Sequence, residues 1–108
     1  MPPRRGEVWL FGLGMAAKTR PVLVVSTEYS YTDRALTTEV PHTTELRGSR
    51  FEIAAKCSLR RPGAFFVQGV SSYPKAWAIR KLGVLHPSQM EIVVNGVAAW
   101  LGIGSRTT

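Results

Sequence analysis

The sequence predicts a mainly β domain of the α+β class, in which several short strands form a small, partly open β-barrel and one helix ends the chain. Short β-branched and aromatic runs recur at close spacing, and turn residues such as Gly48-Ser49 and Pro62-Gly63 separate them. Helical periodicity of the apolar residues begins only near the C-terminus. This order of elements is typical of a barrel with helices over one end or face.

Between five and seven strands are expected before the helix. The apolar and β-branched runs place them at 7–11, 21–27, 36–43, 50–55, 64–71 and 80–85. The helix should begin at Pro87, because proline is favoured at the first helical position, and His86 before it is expected to act as a cap. Gly102 should end the helix, and one helical face carries the apolar residues Met90, Val93, Val94, Val97 and Leu101.

Length and composition indicate one domain spanning residues 1–108. The formal net charge is +7, which favours a polyanionic partner, and the basic residues are scattered in pairs rather than gathered in a tail. Cys57 is the single cysteine, so we expect neither an internal disulfide nor a structural zinc site. No apolar run is long enough to span a bilayer, and the sequence favours a reducing, cytoplasmic location without membrane association.

Arg20-Pro21, at the head of an apolar strand, is the most informative dipeptide. Proline fixes φ and pushes the preceding residue towards extended geometry, so Arg20 should lie at a rigid junction between loop and strand. A guanidinium presents a planar fork of donors that suits a phosphate. A solvated arginine at the edge of a strand explains these residues equally well.

Three segments in register resemble the MazF/PemK family of toxins. They are Arg5-Gly6-Glu7-Val8-Trp9, Arg20-Pro21-Val22-Leu23-Val24-Val25-Ser26, and the run from Arg80-Lys81-Leu82-Gly83 to Gln89-Met90. The resemblance extends over nearly the whole chain. It implies an SH3-like barrel with a short additional helix, a homodimer, and a toxin of a type II toxin–antitoxin system whose partner is a cognate antitoxin. It also implies an endoribonuclease that cleaves single-stranded messenger RNA without metal or cofactor.

The resemblance assigns catalysis to Arg20 and to a threonine at the end of the third strand. Thr43 fits the family spacing better, and Thr44 is the alternative. Guanidinium groups are poor proton shuttles, so Arg20 is expected to stabilise charge on the phosphate during attack by the 2′-hydroxyl. His42 precedes Thr43 and should point to the other face of the strand, which favours a structural role.

Further residues are candidates for RNA binding. Basic side chains suit the phosphate backbone, polar side chains suit phosphate or base, and aromatic rings suit stacking on unpaired bases. The candidates are Lys18, Thr19, Thr44, Arg47, Arg50, Arg60, Gln68 and Ser71, with Tyr29, Tyr31, Tyr73 and Trp77 as stacking platforms. Trp9, Phe65 and Phe66 are expected in the core or at a dimer contact.

The sequence departs from the family at two places, and it is compatible with two other functions. The loop from Gly14 to Thr19 lacks the acid that many relatives carry, and ungapped counting places Ser71 where relatives have an arginine, with Gln68 one residue out of register. A non-catalytic nucleic-acid-binding barrel would also suit the charge. A gyrase poison of the same fold would use the apolar end of the chain, Trp100-Leu101-Gly102-Ile103.

Overall fold

The computed structural model describes residues 2–13, 18–57, 59 and 62–104. Within them, seven strands precede a single α-helix: β1 Glu7–Gly12, β2 Thr19–Val24, β3 Leu36–Thr43, β4 Glu52–Ile53, β5 Ala64–Phe66, β6 Ser71–Pro74 and β7 Ala78–Val84, then α1 Pro87–Leu101. Two short 3₁₀ turns, Val67–Gly69 and Lys75–Trp77, flank β6. The predicted mainly β domain with a C-terminal helix is confirmed.

The strands form one antiparallel sheet in the order β4-β5-β3-β2-β1-β7. β6 joins it by pairing with β3, which therefore has β2 along one edge and both β5 and β6 along the other. Among the described residues, no ladder joins β4 to β7, so the barrel is partly open, as predicted. β3 is the longest strand and lies at the centre of the sheet.

Both faces of the β2–β3 pair are buried, but by different neighbours. Residues that lie opposite each other in a ladder point to the same face, so Leu23 and Val40 share one face and Val24 and Glu39 share the other. The first, which we call the core face, packs against the helix through a cluster that includes Val8, Phe65, Val67, Met90 and Val93. The second, which we call the outer face, buries Phe11, Val22 and Val24 almost completely.

The N-terminal segment Arg5-Gly6-Glu7-Val8-Trp9 contacts β2 and β7 as well as forming the start of β1. Gly6 adopts φ of 90°, where a side chain is disfavoured. Its N–H donates to Val24 O of β2, and its C=O accepts the N–H of Leu85, which follows β7. Glu7 accepts hydrogen bonds from the Trp9 indole N–H and the Arg4 backbone N–H, and it forms an ion pair of 3.1 Å with Lys81. Burial raises the pKa of Glu7, but these bonds outweigh it and lower the pKa overall.

The helix follows the sequence prediction closely. The His86 ring nitrogen Nδ1 accepts the Ser88 N–H at 3.1 Å, Pro87 is the first helical residue, and Gly102 ends the helix in the left-handed conformation at φ of 73°. A Cβ at Gly96 would lie 3.0 Å from Ile53 Cγ1, so this glycine allows the helix to approach β4 closely.

The fourth and fifth strands differ from the prediction. The fourth is only Glu52–Ile53, because Glu52 turns back to accept the backbone N–H groups of the 47–49 loop. The predicted strand at 64–71 ends at Phe66, because Val67–Gly69 forms a 3₁₀ turn in which the Val67 N–H donates to Phe51 O, and the next strand begins only at Ser71. The apolar run therefore follows the core instead of continuing the ladder.

Candidate functional site

A groove of about 840 Å³ brings both predicted catalytic residues together. It lies where β2 begins and β3 ends, and Arg20 and Thr43 both line it. The remaining lining residues are Leu10, Lys18, Thr19, Pro21, His42, Thr44, Glu45, Leu59, Arg80 and Leu82. Besides the aromatic candidates, the sequence analysis selected ten catalytic or RNA-binding residues, and five of them line this one surface: Lys18, Thr19, Arg20, Thr43 and Thr44.

The register of β2 and β3 explains why Arg20 and Thr43 share this groove. Val22 lies opposite Pro41, and two residues further along each strand lead to Arg20 on one side and Thr43 on the other. Both side chains therefore belong to the outer face at the same end of the ladder. Arg20 is itself paired with Phe11 of β1, so the sheet fixes its backbone from that side.

Thr43 is held by local contacts on two sides. Its hydroxyl oxygen accepts the Glu45 N–H at 3.1 Å, which leaves the hydroxyl proton available for donation to an anionic oxygen. A Cβ at Gly63 would overlap the Thr43 carbonyl oxygen, so β5 can lie beside β3 here only because residue 63 is glycine. Thr44, the alternative, is exposed and follows the end of β3.

The groove carries more positive than negative charge. Lys18, Arg20 and Arg80 line it, and Glu45 is the acidic residue among the described lining. Arg80 lies opposite Leu10 in the β1–β7 ladder, a pairing between strands far apart in sequence, and was not selected from the sequence as a site residue. Arg80 is thus a second arginine in the groove. The family resemblance had implied a second arginine at the position that Ser71 occupies here.

Four of the other five predicted RNA-binding residues lie outside the described lining of the groove. Arg47 and Arg50 are exposed in and after the 47–49 loop, with the Arg50 guanidinium 4.5 Å from the Phe51 ring centre. Gln68 is exposed on the 3₁₀ turn, and the Ser71 hydroxyl donates to Gly69 O at 3.1 Å. Arg60 and the 14–17 part of the loop before Arg20 lie outside the described residues.

His42 has a structural environment. It points to the core face, is 8% exposed and meets the Phe65 ring edge-on at 5.2 Å between ring centres. Burial lowers the pKa of His42, so its imidazole is neutral near pH 7. The ring therefore points to the core face, as strand alternation predicts, although part of the residue also lines the groove.

The aromatic candidates divide into two groups. Tyr31 is 97% exposed, whereas Tyr73 and Trp77 stack on each other with ring centres 5.4 Å apart. Trp100, in the apolar end of the chain, packs on Phe51 at 5.1 Å and keeps 41% of its surface exposed. Trp9 is half-buried and Phe65 is fully buried in the core.

A second, smaller cavity of about 160 Å³ shares Arg20 with the groove. Its lining is otherwise largely apolar and comes from the outer face of the sheet and the β5–β6 connection: Leu13, Val22, Glu39, Pro41, Phe66, Gly69 and Tyr73. Glu39 is 1% exposed, and neither of its carboxyl oxygens has a hydrogen-bond partner among the described residues.

The environment of Glu39 changes its protonation. Burial raises the pKa of Glu39 to about 8, and the nearby Thr37 hydroxyl offsets this slightly without meeting hydrogen-bond geometry. The carboxyl group is therefore mostly neutral at pH 7. The sequence analysis did not select Glu39, because one acid in a threonine-rich strand looks like an exposed residue until the β5–β6 connection is seen to cover it.

Metal ligands do not converge in the part of the chain that the structure describes. No group of three or more His, Cys, Asp or Glu side chains there could hold an ion. No helix in this part is long and apolar enough to cross a membrane.

The fold and the groove together define a small basic β-barrel with an arginine and a threonine on one surface, as the family resemblance implies. Residues 4–101 match the family described as PemK-like, MazF-like toxin of type II toxin-antitoxin system, and the chain belongs to that family. It is a MazF/PemK-like toxin by family, and the resemblance found in the sequence is confirmed.

Solved structures of toxins share this fold. An endoribonuclease from Mycobacterial species in complex with its cognate antitoxin is 26% identical, with a TM-score of 0.78 over 93% of this chain and 95% of that one. MazF in a MazE–MazF complex from Deinococcus radiodurans is 21% identical with a TM-score of 0.79, covering 96% and 99% of the two chains. The Mycobacterium tuberculosis toxin MazF-mt6 is 22% identical with a TM-score of 0.76, covering 90% and 97%.

Proposed function

We propose that this protein is a metal-independent endoribonuclease that cleaves single-stranded RNA, the toxic activity of a type II toxin–antitoxin pair. The observation that carries the proposal is the shared groove of Arg20 and Thr43, whose positions the ladder register relates. A similar chain is described as an endoribonuclease in complex with its cognate antitoxin. An excess of positive charge along the groove suits a polyanionic substrate.

In the proposed reaction the 2′-oxygen of one nucleotide attacks its own 3′-phosphorus. The bond from phosphorus to the 5′-oxygen of the next nucleotide breaks, which leaves a 2′,3′-cyclic phosphate and a 5′-hydroxyl. The proton of the 2′-hydroxyl passes to water in the open groove, and water protonates the departing 5′-oxygen. The protein then contributes orientation and charge stabilisation.

Arg20 and Thr43 divide that contribution. The Arg20 guanidinium donates two hydrogen bonds to the non-bridging oxygens, where negative charge increases in the transition state. The Thr43 hydroxyl, oriented by the Glu45 N–H, donates a third. Lys18, Thr19 and Arg80 hold the neighbouring phosphates, and Arg80 supplies the second arginine that Ser71 does not.

Two partners follow from the same reasoning. A cognate antitoxin protein would inhibit the enzyme, since similar toxins are found in complexes with one. The toxin itself would act as a homodimer, as its family resemblance implies. Gel filtration alone and with the antitoxin tests both statements.

The decisive experiment compares RNA with a matched strand that carries one 2′-deoxy sugar at the cleaved position, both in excess EDTA. Cleavage of the RNA alone, with cyclic phosphate and 5′-hydroxyl ends, is expected for the wild type. The Arg20→Ala variant should cleave at least about 100-fold more slowly, whereas Arg50→Ala, outside the groove, should cleave normally. Cleavage that requires a divalent metal, or that survives the 2′-deoxy substitution, contradicts the mechanism.

A non-catalytic nucleic-acid-binding barrel is the second candidate, favoured by the charge of the groove. It predicts that the wild type binds the RNA in EDTA without cutting it. In that case Arg20→Ala weakens binding and lowers its salt dependence.

A further inference from the structure

Glu39 combines three properties that the proposed cleavage reaction does not use. It is 1% exposed, both carboxyl oxygens lack a hydrogen-bond partner among the described residues, and its side chain lines the small cavity beside Arg20. A buried polar group without a partner is costly, and native structures satisfy the great majority of them. A ligand that enters the cavity would supply the missing partners.

Glu39 lies too far along β3 from Thr43 to contact the cleaved phosphate. Glu39 and Thr43 are four residues apart on one strand, about 13 Å at the usual rise. This distance is too great for direct proton transfer between Glu39 and a phosphate bound at Thr43. Arg20 lines both the groove and the cavity, so a nucleotide next to the cleaved phosphate can direct its base into the cavity.

The size and lining of the cavity suit one kind of ligand group, a single small ring. Its volume is about 160 Å³, and cavities of roughly this size accept a single benzene ring. Tyr73 and Phe66 supply aromatic surface, and Val22, Pro41 and Leu13 supply apolar walls. A single six-membered ring with polar atoms on one edge matches this combination, and pyrimidine bases are such rings.

We propose that the cavity is a specificity pocket for one unpaired pyrimidine base, whose hydrogen-bonding edge is read by the Glu39 carboxyl group. The inference rests on the proposed function, because it takes single-stranded RNA as the ligand. A neutral carboxyl group has one donor and one acceptor. It complements the N3 and N4 positions of cytosine and the N3 and O4 positions of uracil, each of which offers a donor beside an acceptor.

The test measures binding, so that it does not depend on cleavage. Short strands with a 2′-deoxy sugar at the cleaved position are varied one base at a time, and dissociation constants are measured for the wild type, Glu39→Gln and Glu39→Leu. At one position the wild type should prefer pyrimidines over purines by about 5- to 150-fold. Glu39→Gln keeps a donor and an acceptor and should keep the preference. In Glu39→Leu the preference should fall below about threefold.

Thr37→Val is the matched control. Thr37 lies on the same face of β3 and is 3% exposed, and its buried hydroxyl also lacks a hydrogen-bond partner among the described residues, but it does not line the cavity. Its replacement should leave the base preference at pH 7 unchanged, because loss of the Thr37 hydroxyl would raise the pKa of Glu39 further and keep its carboxyl group neutral. A change in Thr37→Val equal to that in Glu39→Leu would mean that β3 packing, and not the cavity, sets the preference.

A pH series adds a readout that a merely structural role would not move. Burial raises the pKa of Glu39 to about 8, so at pH 9 the carboxyl group loses its donor. The wild-type preference for cytosine over adenine, two bases that do not titrate in this range, should decrease between pH 7 and pH 9, whereas that of Glu39→Gln should not. The other charged or titratable groups lining the cavity are Arg20 of β2 and Tyr73 of β6, and both variants retain them.

Failure of this inference and failure of the proposed function give different results. If the wild type cleaves RNA in EDTA but Glu39→Leu keeps the full base preference, the pocket proposal is overturned and the ribonuclease stands. A wild type that binds the strands with the pyrimidine preference but cleaves no RNA supports the pocket and overturns the catalysis. The absence of any single position with a pyrimidine preference in the wild type also overturns the pocket.

Discussion

The groove and the cavity lie on either side of Arg20 and differ in almost every other respect. The groove is wide, polar and lined by three basic side chains, whereas the cavity is small and apolar apart from Arg20, Glu39 and the Tyr73 hydroxyl. A wide charged surface attracts any polyanion, but it distinguishes poorly between sequences. A small, largely apolar cavity with few hydrogen-bonding groups instead selects ligands by their size and hydrogen-bonding pattern. Under the two proposals, the groove would therefore supply affinity and chemistry, and the cavity would supply specificity.

Arg20 should give the largest effect, because it belongs to both regions. Arg20→Ala should lower kcat for RNA cleavage by about 10²- to 10³-fold, the usual consequence of removing one donor to a developing oxyanion. Arg20→Lys keeps the charge without the planar fork and should recover little of the loss. Single-turnover cleavage rates measure both. Full recovery by lysine would mean that only net charge matters in the groove.

The cavity can be tested alone through the pH dependence of stability. The pKa of Glu39 is raised to about 8 from 4.5, so the contribution of this group is favourable at low pH and is lost as the pH rises to 8. Glu39→Gln has no such loss. Its free energy of unfolding relative to the wild type should therefore rise by about 2–4 kcal/mol between pH 4.5 and pH 8.

Urea unfolding at several pH values measures this difference, and Glu52→Gln is the control of opposite sign. Hydrogen bonds from the backbone N–H groups of Arg47, Ser49 and Gly48 lower the pKa of Glu52. Its contribution is therefore present at neutral pH and lost as the pH falls. Equal pH slopes in Glu39→Gln and the wild type would contradict the protonation described for the cavity.

Substitutions at Thr43 and Thr44 test which of the two hydroxyl groups acts in the groove. Removing a hydrogen bond to a charged group costs about 1.5–3 kcal/mol, so Thr43→Val should lower kcat by about 10- to 150-fold. Thr44→Val, at the exposed residue after β3, should change kcat by less than about threefold. Larger loss in Thr44→Val would assign the catalytic hydroxyl to the alternative threonine.

Arg80 should give the smallest effect, confined to binding. Arg80→Gln should weaken RNA binding and reduce the slope of log affinity against log salt by about 0.7 to 1. Arg47→Gln, outside the described lining of the groove, is the comparison and should leave that slope nearly unchanged. Fluorescence anisotropy between low and physiological salt measures both.

The sequence predicted the parts of this site that depend on neighbours along the chain. Pro21 indicated a rigid position for Arg20, the family resemblance pointed to a threonine at the end of the third strand with a spacing that favoured Thr43, and strand alternation gave the direction of His42. Arg80 and Glu39 could not be predicted in the same way. Arg80 reaches the groove through the β1–β7 pairing, and Glu39 is buried by the segment around Gly69, so both depend on contacts between distant parts of the sequence.

The fifth predicted strand was wrong for a related reason. The run Phe65-Phe66-Val67 has the composition of a continuous strand. In the fold, Val67 donates its N–H to Phe51 instead of continuing the ladder, and a Cβ at Gly69 would lie 2.8 Å from Pro41 Cγ. The interruption makes the chain cross beside Pro41, where it forms a wall of the cavity.

The central position of β3 has a consequence for local unfolding. Its residues carry Glu39 for the cavity and Thr43 for the groove, and its ladders with β2, β5 and β6 would all have to open together to release it. The backbone amides of Val40 and the residues that flank it should therefore exchange with deuterium only as slowly as global unfolding permits. The groove and the cavity would then be lost in one cooperative event, and no partly folded form would keep one of them while losing the other.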